Sequence, residues 1–495
     1  MELLSNTNDI LISLLGLAPP ILAAGIVLLA LRRKEQVTSV LCCISNRTYA
    51  LAVATTVMVM TVSCFFMNFK VNPFGDVDRY FVRALNIVEN GVFGYGATPT
   101  AVYPPGYSFI LVPAAAFFGN TRWAYYCTNI TLLAGVSIWV RFLLRRLGVP
   151  ERPANLVSLL VLLYPNRLLS TLIPASDIPF SLAYLCAFLV MTLSMSYPGR
   201  WRYPLVTGLI AGIASLIRAN GLPLMIPLGV GLWGSQTAPR RVRVRNVGLM
   251  LFSMLTILMP WTIRNALLFG SFVPVSNNFG INLAIGNNPS DRITYNTYVD
   301  SVWADPDAWR AAGGESWNEG ERDRFFANQG FQYIREHPFQ FVVLGCRKVF
   351  HTMASDASTF GTLETCTNLR TLVFSVFPHT RPSRTSGIAY SMYSVGYRML
   401  FVLNNVAYYT SIIVVVLVLL RHRRRLTGPE VAYVIVAVIT CGLVFLLFGI
   451  SRYKEPMPLL TILLICFAIF PPRKPSSAPG SAIADNSRYT TPTHR

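Results

Sequence analysis

The sequence predicts an all-α, polytopic membrane protein with a smaller extracytoplasmic α or α/β segment. Three observations carry this. Of 495 residues, 53% are hydrophobic and 13% charged, whereas a soluble domain is about 25% charged; the mean hydropathy is +0.47. Charge-free or nearly charge-free runs recur, many near the ~20 residues that cross a bilayer. The basic clusters sit at the ends of those runs.

Taken in order, the runs are Ile10–Leu31, Thr48–Phe69, Trp123–Val140, Ala154–Asn166, Ile178–Gly199, Leu205–Ile217, Ala219–Pro239, Asn246–Ile263, Met399–Leu420, Val431–Ile450 and Pro456–Pro472. They read as about 11 spans by window length. Ala154–Asn166 and Leu205–Ile217 are short and are expected to continue past Arg167 and Arg218. The polar Met1–Asp9 lacks a basic start, so the first run is expected to be a retained span and not a signal peptide. Pro104–Phe118 reads as a short helix in the interface.

The formal net charge is +20. Its placement excludes a nucleic-acid reading. Arg32-Arg33-Lys34, Arg145-Arg146, Arg200 with Arg202, Arg240–Arg245, Arg421–Arg425 and Arg473-Lys474 flank apolar runs, the positive-inside pattern beside anionic lipid. Facing these clusters to the cytoplasm places Asp76, Asp78, Asp177, Arg218, Arg264 and Arg452 together at the outer face. Charge at a bilayer is costly unless paired or hydrated, so this clustering predicts a shared polar cavity.

The chain divides into residues 1–268, an N-terminal transmembrane module with a catalytic outer loop at 70–106; 269–394, an extracytoplasmic or interfacial domain; 395–472, the C-terminal membrane helices; and 473–495, a Ser/Pro/Ala-rich tail expected to be disordered. Within the second part, Glu315–Arg335 reads as a soluble helix. Phe339–Met353 is apolar but carries Arg347 and Lys348, which suits an interfacial or packed helix.

The chemistry-bearing candidates each have a structural alternative. Asp76, in Gly75-Asp76-Val77-Asp78-Arg79-Tyr80, lies just beyond an apolar run and under a Tyr103-Pro104-Pro105-Gly106 loop. It suits a general base acting on an acceptor hydroxyl, or an N-cap of the helical Tyr80–Glu89. Asp78 shares that loop. Asp177 follows Pro174-Ala175-Ser176 and is either functional or a cap. Arg218, Arg264, Arg452 and Lys454 suit a lipid phosphate, or snorkel at the interface. Arg167 interrupts a span, as a ligand-facing charge or as the partner of an acid such as Asp177. The Asn/Gly run containing Asn277, Asn282 and Asn287 either holds sugar hydroxyls or makes turns. Nine Cys lack CxxC spacing and five His are scattered, so no zinc site is read. There is no Walker loop and no strand-linked GxGxxG.

With these pieces in order, the chain resembles the GT-C superfamily of integral-membrane glycosyltransferases. The resemblance is to the bacterial branch with protein O-mannosyltransferases, lipid A aminoarabinose transferases and rhizobial galacturonosyltransferases. It covers roughly Phe65 to Phe470 and rests on Asp76-Val77-Asp78-Arg79-Tyr80 with Ala84, Tyr103–Tyr107, Ser176-Asp177, Gly208–Arg218, Pro260–Asn265 with Gly280 and Gly286-Asn287, and Arg452-Tyr453. It implies an inverting transfer from a polyprenyl-phosphate sugar to a glycan, lipid or protein hydroxyl at the periplasmic or exterior face of a plasma (bacterial inner) membrane. In those terms Asp76 is the base, Asp177 the later acid, and Arg264 and Arg452 the basic positions near the lipid phosphate. Tyr80, Tyr103 and Tyr453 belong to the substrate loops. Val77 stands where many members carry a second acid. No cofactor is expected, although some relatives hold a divalent cation near the first acidic site. The alternative class is a transporter or flippase of a lipid-linked or small solute, which predicts midplane charges and an internal repeat.

Overall fold

The computed structural model describes residues 19–29, 32, 44–66, 76–235, 238–289, 318–354, 356, 395–422, 426, 428–449 and 451–472. Of Asp76, Val77 and Asp78 it describes the helical placement and not the side chains. The described residues form helices and one two-stranded hairpin. They are α1 (Pro19–Leu29), α2 (Asn46–Phe66), α3 (Asp76–Asn90), β1 (Gly94–Tyr95), β2 (Thr98–Pro99), α4 (Gly106–Phe118), α5 (Trp123–Arg146), α6 (Glu151–Leu162) and α7 (Pro165–Ser170). The chain continues through α8 (Asp177–Ser196), α9 (Arg202–Ile217), α10 (Met225–Trp233), α11 (Arg240–Phe269), α12 (Phe279–Gly286), α13 (Glu319–Glu336), α14 (Pro338–Ala354), α15 (Val395–His422), α16 (Gly428–Leu446) and α17 (Pro456–Ile469).

Six of these, α2, α5, α8, α11, α15 and α16, are long and apolar enough to cross a membrane, and α1, α4 and α9 are shorter apolar helices. The chain is a multi-pass membrane protein on this pattern. At 1.5 Å per residue, the 30 residues of α11 reach about 45 Å, longer than a ~30 Å hydrocarbon core. Its basic start, Arg240 to Arg245, extends beyond the apolar part, and Gly270 ends it in the left-handed region (φ 60°).

The centre of the bundle is α8. Eighteen of its 20 residues are buried, as suits a helix apolar on every side. Next to it, α9 packs on α11 through Gly208 and Gly212, one turn apart. A Cβ on Gly208 would lie 2.0 Å from Met250 O, and one on Gly212 would lie 2.8 Å from Ile257 Cβ. This is close packing of the small-xxx-small kind, in which bare backbone lets helices approach.

The expected continuation of the fourth run through Arg167 is broken. α6 stops at Leu162, Tyr164 is extended (φ −59°, ψ 117°), and Pro165 opens the separate short helix α7. Proline disfavours helical geometry in the residue before it but fits the first helical turn. The break turns Arg167 into the protein instead of leaving it on a lipid-facing helix; its side chain is fully buried.

The helix expected from Glu315 is described from Glu319. Asn318 and Glu321 form a reciprocal capping box at 3.0 and 2.8 Å. Beside it, Asp323 Oδ1 accepts from Gly280 N at 2.8 Å and closes the start of α12. The apolar helix expected over Phe339–Met353 is α14, which packs on α16 through Phe341 and Phe445 at 5.1 Å.

Candidate active site

Asp177 is the first residue of α8, where a carboxylate complements the helix dipole. It is 5% exposed and holds two guanidiniums. Arg218 donates to Oδ1 through Nη1. Arg452 donates through Nε to both oxygens, at 3.1 and 3.0 Å, and its Nη2 lies 2.8 Å from Oδ2. Arg218 comes at the point where α9 gives way to extended backbone (φ −146°, ψ 132°). Arg452 sits in a 3₁₀ turn, Ser451–Lys454, just before α17. Two cations on one anion leave a net positive charge, and among the described residues Arg218 hydrogen-bonds through Nη1 alone. Charge-assisted bonds of this kind are strong and directional, so the two guanidiniums are held in a fixed arrangement around Asp177.

A tyrosine cluster joins this charge cluster to the helix that Asp76 opens. Asp76 opens α3, and Tyr80 follows one turn later on the same helix face. Tyr80 is buried, with its ring edge-on to Tyr103 at 5.9 Å and to Tyr107 at 5.6 Å. Tyr107 donates to Asn129 Oδ1 at 2.8 Å. The Asn129 amide in turn donates to Ile173 O at 2.9 Å, four residues before Asp177. On its other side α4 begins at Gly106, where a Cβ would stand 2.8 Å from Ile217 N, the residue before Arg218. The start of α4 therefore touches the supports of both Asp177 and Arg218 while carrying the ring that packs on the Asp76 helix. Arg79 donates to Tyr103 Oη at 2.8 Å, and buried Arg83 donates to Tyr95 Oη at 2.9 Å, holding hairpin and helix together.

The other expected residues have specific settings. Arg264 donates to Thr100 O at 2.9 Å and Phe93 O at 3.3 Å, and stacks on Trp261 at 4.4 Å. It pins the hairpin from the α11 side. Glu319 pins it from α13, accepting from Thr100 Oγ1 at 2.6 Å and Ala101 N at 2.7 Å. Asn277 N donates to Ala101 O at 2.8 Å, and Asn277 Nδ2 is buried with no partner among the described residues. Asn282 lies within α12, half-buried. Asn287 is buried, donating to Leu283 O and Leu446 O and accepting from Lys348 Nζ at 3.2 Å. Tyr453 packs edge-on to Phe448 at 5.3 Å. Lys454 is turned inward: it donates to Thr352 O at 3.0 Å and lies 3.8 Å from the Tyr408 ring centre. Burial draws its pKa down to about 8 and that of Lys348 to about 7. Burial also raises the Asp323 carboxyl, against the lowering pull of the Gly280 and Ile281 amides.

Several charged residues in these networks escaped the sequence reading. Glu455 ended the turn already singled out at Arg452 and was the available signal for a partner of Arg167. Arg167 is ion-paired with Glu455 and not with Asp177. Asp356, buried and accepting from Tyr164 Oη at 2.7 Å and Asn166 Nδ2 at 3.0 Å, gave no local signal.

Among the described residues no three His, Cys, Asp or Glu gather as metal ligands. Asp177 does not fit a cation, because both its oxygens already face guanidiniums.

No protein-family model matches the chain, and no curated protein matches it. Solved structures are similar at low identity. The archaeal oligosaccharyltransferase AglB from Archaeoglobus fulgidus, in complex with an inhibitory peptide and a dolichol-phosphate, has 14% identity and a TM-score of 0.44 over 85% of this chain. This chain spans 50% of that protein. The A. fulgidus enzyme in complex with Zn and sulfate has 12% identity and a TM-score of 0.44, over 85% of this chain and 48% of its own. ArnT from Cupriavidus metallidurans in the apo state has 16% identity and a TM-score of 0.39, over 85% of this chain and 76% of its own.

Proposed function

We propose that this chain is an inverting glycosyltransferase that moves a sugar from a polyprenyl-phosphate donor to an acceptor hydroxyl at the exterior face of a plasma membrane. One observation carries the reading. Arg218 and Arg452 are held on a buried carboxylate, beside the tyrosine cluster on which the Asp76 helix is packed. Such a seat suits an anion presented at the end of a membrane bundle, and a lipid phosphate is an anion delivered there by its own tail.

In this reading the acceptor oxygen attacks the anomeric carbon from the face opposite the phosphate, and Asp76 accepts its proton. The carbon–oxygen bond to phosphate breaks, and the lipid phosphate leaves with the electron pair. Arg218 and Arg452 stabilise the charge it gains, in a site already oriented for that charge. One displacement inverts the anomeric centre. Residues 269–394 would cover the cleft, with α13 and Glu319 held against the hairpin. Asp78 shares the helix start and is assigned no step.

The test is incubation of the purified protein, in sealed proteoliposomes, with a panel of polyprenyl-phosphate sugars and a cell-envelope extract as the source of acceptor hydroxyls, and measurement of released polyprenyl phosphate. Consumption of one donor by wild type and not by Asp76→Asn is the expected result. Donor movement across the bilayer without bond cleavage would instead favour a flippase.

A further inference from the structure

We propose that Arg167 and Glu455 form a buried clamp that positions Arg452 for an anionic ligand, so that Arg167 controls the anion seat without touching it. The ligand named here, the phosphate of a polyprenyl lipid, rests on the function proposed above.

The argument starts from the turn that carries Arg452. Ser451–Lys454 is a single 3₁₀ turn between α16 and α17. One turn of 3₁₀ helix is a weak element by itself, yet Arg452 must meet Asp177 with fork geometry. The chain after it is held at every residue. Tyr453 packs on Phe448, and Lys454 is fastened to Thr352 O. Glu455 is gripped twice by Arg167: its carboxylate forms the ion pair, and its main-chain carbonyl accepts from Arg167 Nη2 at 2.9 Å. A bond to the main chain fixes the path of the turn and not only a side chain.

Glu455 is also the residue that precedes α17, yet its side chain makes no cap bond. Its backbone there is already helical (φ −48°, ψ −37°), so the carboxylate does not turn back over the helix start. Here it is given to Arg167 instead. Both members are almost wholly inaccessible, at 0% and 1%. Arg167 reaches the turn only because Pro165 breaks α6 from α7, and Asn166 beside it is fastened to Asp356 and Asn404. The clamp thus joins α7, and through it the segment leading to Asp177, to the turn bearing Arg452. Both sides of the Arg452–Asp177 contact are referred to one buried pair. Arg167 is a positioning residue and not a catalytic one. Its Nε and Nη1 have no hydrogen-bond partner among the described residues, and the bonds its side chain makes there both go to Glu455.

The experiment compares wild type with Arg167→Lys and with the doubly neutral Arg167→Met/Glu455→Gln, which removes the pair without stranding a charge. The first readout is amide hydrogen exchange of the full-length protein in nanodiscs, over the peptide containing residues 451–456. The second is equilibrium binding of a long-chain polyprenyl phosphate, with the uncharged polyprenol as control. The double variant is expected to exchange the turn at least about tenfold faster while α8 and α9 stay as in wild type. Its affinity for the phosphate should fall about tenfold with no change for the polyprenol. Arg167→Lys, which keeps the charge, should restore most of the affinity. Wild-type exchange in the double variant overturns the clamp. Faster exchange with unchanged phosphate affinity overturns its positioning role. If wild type itself binds no polyprenyl phosphate, the functional reading falls. The clamp then stands or falls on the exchange data alone.

Discussion

Asp177 and Arg452 lie 275 residues apart in sequence and meet through bonds of 3.1 and 3.0 Å from one Nε to both carboxylate oxygens. The contact joins the most deeply packed helix to the last turn before the final helix. Arg218 completes the cluster from a third element. The cluster is therefore a product of the whole bundle and is sensitive to any change that leaves one member unpaired.

Asp177→Asn tests this first. The substitution keeps the shape but leaves Arg218 and Arg452 facing a neutral amide. Breaking a buried pair on one side costs about 3 kcal/mol. A fall of several degrees in thermal midpoint in detergent is expected, together with loss of transfer. A wild-type midpoint would show that the carboxylate contributes nothing to the bundle.

Asp76→Asn separates chemistry from folding. If Asp76 is the base, transfer should drop on the order of a hundredfold or more, with size-exclusion profile and thermal midpoint unchanged. Asp78→Asn, measured alongside, should retain most of the activity. Full turnover by Asp76→Asn removes the base assignment.

Stability should depend on pH through the two buried lysines. Lys348 and Lys454 have folded-state values near about 7 and about 8, below the ordinary 10.5, because burial disfavours the ammonium. Between those values and 10.5 the unfolded chain binds more protons than the folded one, so stability rises with pH. The thermal midpoint at about pH 9.5 should exceed that at about pH 7, at fixed ionic strength. Lys348→Met should flatten the lower part of that rise. A midpoint that falls steadily over this range contradicts the assignment.

Gly208→Ala and Gly248→Ala form a matched pair on the packing of α9 and α11. At Gly208 the added methyl meets Met250 O, whereas at Gly248 nothing lies within 4 Å. The first should destabilise by about 2 kcal/mol. The second should stabilise by about 0.5 kcal/mol, since alanine restricts the unfolded chain in a helix. Chemical-denaturation midpoints of the two variants decide the matter, and equal shifts would contradict the close contact.

The helical character was legible because hydrophobic runs and their basic ends are local signals. The run from Thr48 became α2 and the run from Ile178 became α8 with small changes at the ends. The break at Tyr164-Pro165 was written in the sequence, but apolar length outweighed the proline. Likewise Gly208-x-x-x-Gly212 carried its packing role without being used. The site was legible in part. Asp177, Arg218 and Arg452 were expected at one face by topology, and they meet. That Lys454 turns inward depends on Thr352, 102 residues away, and that Arg167 chooses Glu455 over Asp177 depends on a contact 288 residues apart, to which no local pattern points. Gly106–Ile217 contact and the Asn129 bridge are tertiary in the same way.

The hairpin Gly94–Pro99 has one further consequence. The segment that follows it is grasped by Arg264 from the membrane bundle and by Glu319 from α13. The membrane bundle and α13 thus share a single rivet. Any displacement of α13 must also tug on the strand leading back to Tyr80, so it is felt at the helix that starts with Asp76.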